Sequence, residues 1–183
     1  MDQDRFKEKA LGFEVRKPSS WHFLPTAWSP TALLKRAPAF KDTLLRYASL
    51  PFICAQGRHE SRIHALPTFQ VCARAAISYN PGLASTLLES MIAGMQRHYP
   101  NYAVIAASSR LELAGCKAIY MRGTFSVIVE IDGERVEMAC LSRSYALFGP
   151  RAAITLGLSG SSDPAYFSEA DFEQILGSIR MHG

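Results

Sequence analysis

Any chemistry in this chain must come from a small number of polar side chains. The densest group is Arg58, His59, Glu60, Arg62 and His64, within GRHESRIH. These five could bind an anion or a carboxylate-bearing partner, and His59, Glu60 and His64 could be asked to hold a metal. Their spacing is not His-Glu-x-x-His, and three residues on a loop do not preset a tetrahedral site. The simpler reading is a solvated connection between strands. A second candidate is Gly157-Leu158-Ser159-Gly160-Ser161, which comes near the Gly-x-Ser-x-Gly of a nucleophile elbow. Ser161 stands where the last glycine is needed, and a loop follows where the elbow requires a helix to carry its oxyanion donors. His98 and His182 fall at helix C-termini, where a cationic ring favours the helix dipole. There is no glycine-rich phosphate loop and no evident acid/base pair of carboxylates. The expectation is a protein that is not an enzyme and that uses no cofactor and no metal.

Cys54, Cys72, Cys116 and Cys140 form no Cys-x-x-Cys pair, and their spacing matches neither a zinc site nor a disulfide framework. Each lies in an apolar, strand-like context and reads as a reduced, buried thiol. Trp21, Phe23, Trp28, Phe40 and Phe52 crowd the first third of the chain. They either pack a corner of the core or line a concave apolar surface for a ligand or peptide, and packing is the reading preferred here.

The 183 residues are most simply one domain, with 48% hydrophobic and 20% charged residues, a globular balance. The formal charge of +4 is mild and its arginines are dispersed, so nucleic acid is not an expected partner. The charged start MDQDRFKEKALGFEV lacks the apolar region of a secretory signal, and no apolar run reaches transmembrane length. The expected location is cytoplasmic.

The elements that must position these residues are organised around FSVIVEIDGERVEMACL. Asp132-Gly133 between alternating apolar runs predicts a two-residue type I′ hairpin, which fixes the register. Ile131 then faces Glu134, Val129 faces Val136, and Phe125 faces Cys140. One face carries Phe125, Val127, Val129, Val136, Met138 and Cys140. The other carries Ser126, Ile128, Glu130, Arg135 and Glu137. Asn80-Pro81 predicts a helix start, followed by Leu83, Leu87, Leu88, Met91, Ile92 and Met95 at helical intervals. Phe167-Ser168-Glu169-Ala170-Asp171-Phe172 predicts a second start, with Ser168 as cap and Phe167 stapled to Phe172. Strands are expected at 12–17, 51–56, 68–78, 102–107, 116–121 and 152–158, with a turn region over 108–115. Residues 1–9 read as a frayed lead-in, and 22–50 as a Pro-rich excursion with two short helices at 30–36 and 40–48. Short connections between the later strands demand antiparallel pairing, so the fold class is α+β, an antiparallel sheet packed with helices. Both helices are expected to cover one face of it, leaving Ile128 under a helix or on a binding surface.

This order, with GFEVRKPSSW, LAGCKAIYMRG, the Asp132-Gly133 hairpin, SYALFGPRAAITL and the closing FEQILGSIR, resembles the PsbP-like fold. That fold is shared by the PsbP subunit of photosystem II, the Ran-binding import factor Mog and bacterial DcrB-type proteins. The resemblance implies an α/β/α sandwich over residues 1–183, with the excursion at 22–50 longer than compact members need. It also implies a non-catalytic accessory protein, since some bacterial relatives are cytosolic adaptors that hold apolar segments of secreted effectors. The expected function is a chaperone-like adaptor that binds a protein partner and can pair as a homodimer. The alternative is a small-molecule or lipid-binding domain using the aromatic cluster near Trp21 and Trp28. The candidate surface comprises Trp21, Trp28, Phe40, Arg58, His59, Glu60, Arg62, His64 and Ile128.

Overall fold

The computed structural model describes residues 3–26, 29, 48–167 and 169–183. The two short helices expected within the excursion, together with Trp28, Phe40 and the cap residue Ser168, lie outside the described residues. The strands are β1 (Arg5–Glu8), β2 (Phe13–Arg16), β3 (His22–Leu24), β4 (Pro51–Gln56) and β5 (Thr68–Ala75). After helix α1 (Pro81–His98) come β6 (Ala103–Leu113), β7 (Cys116–Ile131), β8 (Glu134–Phe148) and β9 (Ala152–Ser161). Helix α2 (Glu169–Ser178) and β10 (Arg180–Met181) close the chain. No helix among the described residues is long and apolar enough to cross a membrane.

The hairpin forms as its turn chemistry dictates. Asp132 and Gly133 take φ of 52° and 86°, and Ile131 pairs with Glu134, Val129 with Val136 and Phe125 with Cys140. Pairing continues to Ala118 opposite Leu147, so residues 144–148 extend β8. This long ladder seeds a seven-stranded antiparallel sheet ordered β3-β4-β5-β9-β8-β7-β6. Strand β6 corrects the turn region expected over 108–115: it runs on to Leu113, absorbing register shifts between Val104 and Ala106 and between Ser108 and Leu111. Its polar second half reads like a loop, but polar residues are at home on an edge strand. Residues 5–8 likewise form a strand, in a separate small sheet ordered β1-β2-β10. This short, charged strand shows no apolar alternation of its own and forms by pairing with β2, Arg5 opposite Arg16 and Glu8 opposite Phe13.

Strand alternation divides the large sheet into two unlike faces. Phe69, Val71 and Ala73 of β5, Ile154, Leu156 and Leu158 of β9, and Tyr145 and Leu147 of β8 share one face. They form the core with Leu11, Phe13 and Val15 from the small sheet and Phe172, Ile175 and Leu176 from α2. Phe167 and Phe172 meet edge to face at 4.6 Å, as the staple predicts. Helix α1 lies on the opposite face. Asn80 caps it by accepting the Gly82 N–H, and Tyr99 and Tyr102 at its end pack on Phe125. The expectation that both helices cover one face is therefore corrected, because residues 119, 121, 123 and 125 of β7 point away from the α2 core. The α/β/α layering implied by the resemblance is present.

An ionic seam ties α2 to the sheet. Arg143 is buried beneath the helix and pairs with Glu169 at 3.0 Å and Glu173 at 2.6 Å, while Arg122 reaches Glu169 at 2.6 Å. Burial opposes the charge on Arg143, but hydrogen bonds to Glu173 and Glu169 outweigh it and raise its pKa.

The small sheet has a pH-sensitive contact. Glu14 accepts from Arg5 at 2.7 Å, with Lys7 and His182 each at 3.6 Å. The Arg5 hydrogen bond, partly opposed by burial and aided by the charges of Arg5 and Lys7, holds its carboxyl at about 2 against a usual 4.5. A carboxylate depressed in the folded state stabilises fully above its unfolded pKa, and that stabilisation is lost as pH falls through the folded value. Urea midpoints measured between pH 5 and 2 should therefore fall less steeply in Glu14→Gln than in the parent chain, and equal slopes would contradict the pairing.

Candidate functional site

The polar group at 58–64 sits on the connection between β4 and β5, held against the end of β9 where Ser161 N–H donates to the Ala65 carbonyl. The structure separates its members. His59 and His64 converge on Tyr166: the His64 ring stacks on it at 4.0 Å, and the His59 ring meets it at a steep angle at 5.3 Å. His59 Nε2 donates to the Ala65 carbonyl at 3.3 Å, and its Nδ1 is buried without a hydrogen-bond partner. Arg58 and Glu60 are exposed. Arg62 reaches out to Asp132 at 3.7 Å on the hairpin turn, with both side chains largely in water, so that pair contributes little to stability. No group of three metal-ligating side chains occurs among the described residues.

His64 Nδ1 lies 3.1 Å from Ser161 Oγ, which is the spacing of a base and its nucleophile. Ser161 is only 1% exposed, however, and its hydroxyl accepts the Asp163 N–H. That arrangement ties the hydroxyl into the turn carrying Tyr166, whose N–H donates to the Asp163 carbonyl. Residues 157–161 all lie within β9, so the near-elbow sequence has no strand-to-helix corner.

Trp21 is buried. Its ring meets Phe172 at 6.2 Å, and Nε1 donates to Asp171 Oδ2 at 3.1 Å. One side of it joins Arg58, His59 and Tyr166 around a depression of about 360 Å³. Phe52 packs at 5.9 Å from both Phe6 and Phe13, and Phe23 stands 6.3 Å from Phe6, so these aromatics join the small sheet to the large one. Cys116 and Cys140 are buried and Cys54 and Cys72 half-buried; burial raises all four thiols, and none is disulfide-bonded. Ile128 is 60% exposed on the hairpin arm, on the α2 side of the sheet, beyond the reach of that helix.

The structure adds a feature that residue types alone did not single out, the outer edge of β6. Among the described residues only β7 pairs with it. From Ala103 to Ser109 it carries no charge, Val104 is 40% exposed, and Ile105, at the first register shift, is 55% exposed. Its signal in the sequence was an apolar run beside a long helix, but which strand would become the edge depended on the order of the whole sheet.

No protein-family model matches the sequence, and no curated protein matches it. Solved structures align over nearly all of it. Cyanobacterial PsbP (CyanoP) from Synechocystis sp. PCC 6803 is 15% identical, covers 97% of this chain and 91% of its own, and superposes with a TM-score of 0.56. The chain has a PsbP-like fold. LpqN of Mycobacterium tuberculosis, a protein involved in cell envelope biogenesis, aligns at 13% identity with a TM-score of 0.52, over 93% of this chain and 83% of its own. At such identities the likeness is one of architecture. The His59–Tyr166–His64 group lies at one end of the sheet, and the β6 edge lies along its side.

Proposed function

We propose that this chain is a non-catalytic accessory domain, adaptor-like or chaperone-like, that binds a protein partner along the outer edge of β6. The observation that carries the reading is the uncharged run from Ala103 to Ser109, exposed as far as Ala107. Folded proteins usually blunt a free edge with lysine, proline or a covering segment, because unpaired N–H and C=O groups template further strands. Here the register shift turns Ile105 outward without adding a charge. An extended partner segment adding to this edge would satisfy the backbone groups and cover Val104 and Ile105. The buried position of Ser161 supports the non-catalytic part of the reading. The four free thiols suit a reducing compartment, so a cytoplasmic setting belongs to the same proposal.

The test compares the parent chain with Ile105→Lys, which places a charge on an already exposed position and should leave thermal stability nearly unchanged. A defined partner co-purifying from native extract with the parent and lost with Ile105→Lys is the expected result. A dimer seen by light scattering for the parent alone would make the partner a second copy. Identical recovery with both proteins, or no partner and no dimer with the parent, would overturn the proposal.

A further inference from the structure

Helix α1 is incompletely seated. Of its 18 residues only Ala84 is buried, while Leu83 and Leu87 are 56% and 38% exposed. A stripe of this length ordinarily buries itself against the sheet it covers. Instead α1 rests on β6 and β7, and a cleft of about 420 Å³ opens between it and the neighbouring strands β5, β8 and β9. That volume falls within the roughly 300–1,000 Å³ typical of small-molecule sites. Leu87 and Met91 from the helix face Ile77, Phe148, Ala146 and Ala153 across it.

Arg74 is the one charged side chain among the described walls. It stands on β5 opposite Ala153, is exposed, and makes no ion pair with a described residue. A planar guanidinium without a carboxylate, at the border of an apolar slot, complements a single carboxylate attached to an apolar chain. A cleft near the lower end of that range, with a single charged wall, suits one unbranched chain better than a two-chain lipid or a head group rich in hydroxyls. We infer that the α1 cleft binds a medium-chain fatty acid, with its tail between Met91 and Phe148 and its carboxylate on Arg74. This site is separate from the β6 edge and does not depend on the partner proposed there.

Titration calorimetry on the full chain, with octanoate, decanoate, dodecanoate and dodecanol below their micelle concentrations, tests the inference. Affinity should rise about fourfold per added methylene. Arg74→Gln should weaken dodecanoate about tenfold or more and leave dodecanol unchanged. Gly94→Leu supplies the second variant. Gly94 lines the cleft, and a Cβ there meets nothing within 4 Å, so the larger side chain fills the space while improving helix propensity. It should retain the parent's circular dichroism and lose binding. Three results would each overturn the inference: no binding of dodecanoate to the parent, undiminished binding in a folded Gly94→Leu, or equal weakening of dodecanoate and dodecanol in Arg74→Gln.

Discussion

Truncating Phe172 to alanine is expected to destabilise the protein by about 3–5 kcal/mol, the range for deleting a large aromatic from a closed core. Phe172 is fully buried where α2, the large sheet and the small sheet meet. Its ring is met edge-on by Phe167 at 4.6 Å and Trp21 at 6.2 Å, and Trp21 is itself tied to α2 through Asp171. Removing the ring leaves both neighbours without the surface they pack on, and the hydrogen bond to Asp171 limits how far Trp21 can move to refill the space. A domain of this size has only about 5–15 kcal/mol in total, so the loss should be plain in the urea midpoint with little change in slope. Phe172→Leu, which keeps most of the apolar volume, should cost markedly less. Equal losses for the two variants, or a loss under about 1 kcal/mol for the alanine, would mean that this junction is not closed as described.

The same junction shows what could be read from sequence and what could not. Phe167 and Phe172 were legible because a staple is a relation between residues five apart. The Asp132-Gly133 hairpin was legible for a similar reason, since its turn sets every pair out to Phe125 and Cys140. What joins distant segments was not legible. Trp21 could be read as packing or as a ligand contact, and only its contact with Asp171, 150 residues later, decides where the ring sits. His59 and His64 were visible as residue types, yet Ser161 and Tyr166, which give them their geometry, come from the end of β9 and the turn after it. The stripe on α1 was visible too, but periodicity reports which residues share a face and not how completely a neighbouring layer covers that face. The α1 cleft exists because the helix sits over β6 and β7, an outcome of sheet order. Ile128 belongs with these: its side of the hairpin followed from register, and its exposure followed from where α2 begins.

Gly12→Ala should be among the most damaging substitutions of a small residue, costing about 2–4 kcal/mol from left-handed backbone strain and overpacking together. Gly12 has φ +63°, and a Cβ added there would lie 2.2 Å from the carbonyl oxygen of His182 and 3.2 Å from its carbonyl carbon. Those atoms belong to backbone, so no side-chain rotation relieves the overlap. The chain after β10 would have to retreat, and with it the 2.7 Å hydrogen bond that His182 N–H donates to the Gly12 carbonyl. The adjacent pairs Arg180–Glu14 and Met181–Phe13 would loosen in turn. Gly133→Ala provides the control, because its φ is +86° while nothing lies within 4 Å of the added atom. It should show the cost of backbone strain alone, about 1–2 kcal/mol. The excess in Gly12→Ala then measures the closeness of the C-terminal backbone, and faster hydrogen exchange at the His182 amide should accompany it. If the two variants lose equal stability and the His182 amide stays protected, the C-terminal strand cannot be packed against Gly12, and the three-stranded sheet would need a different third member.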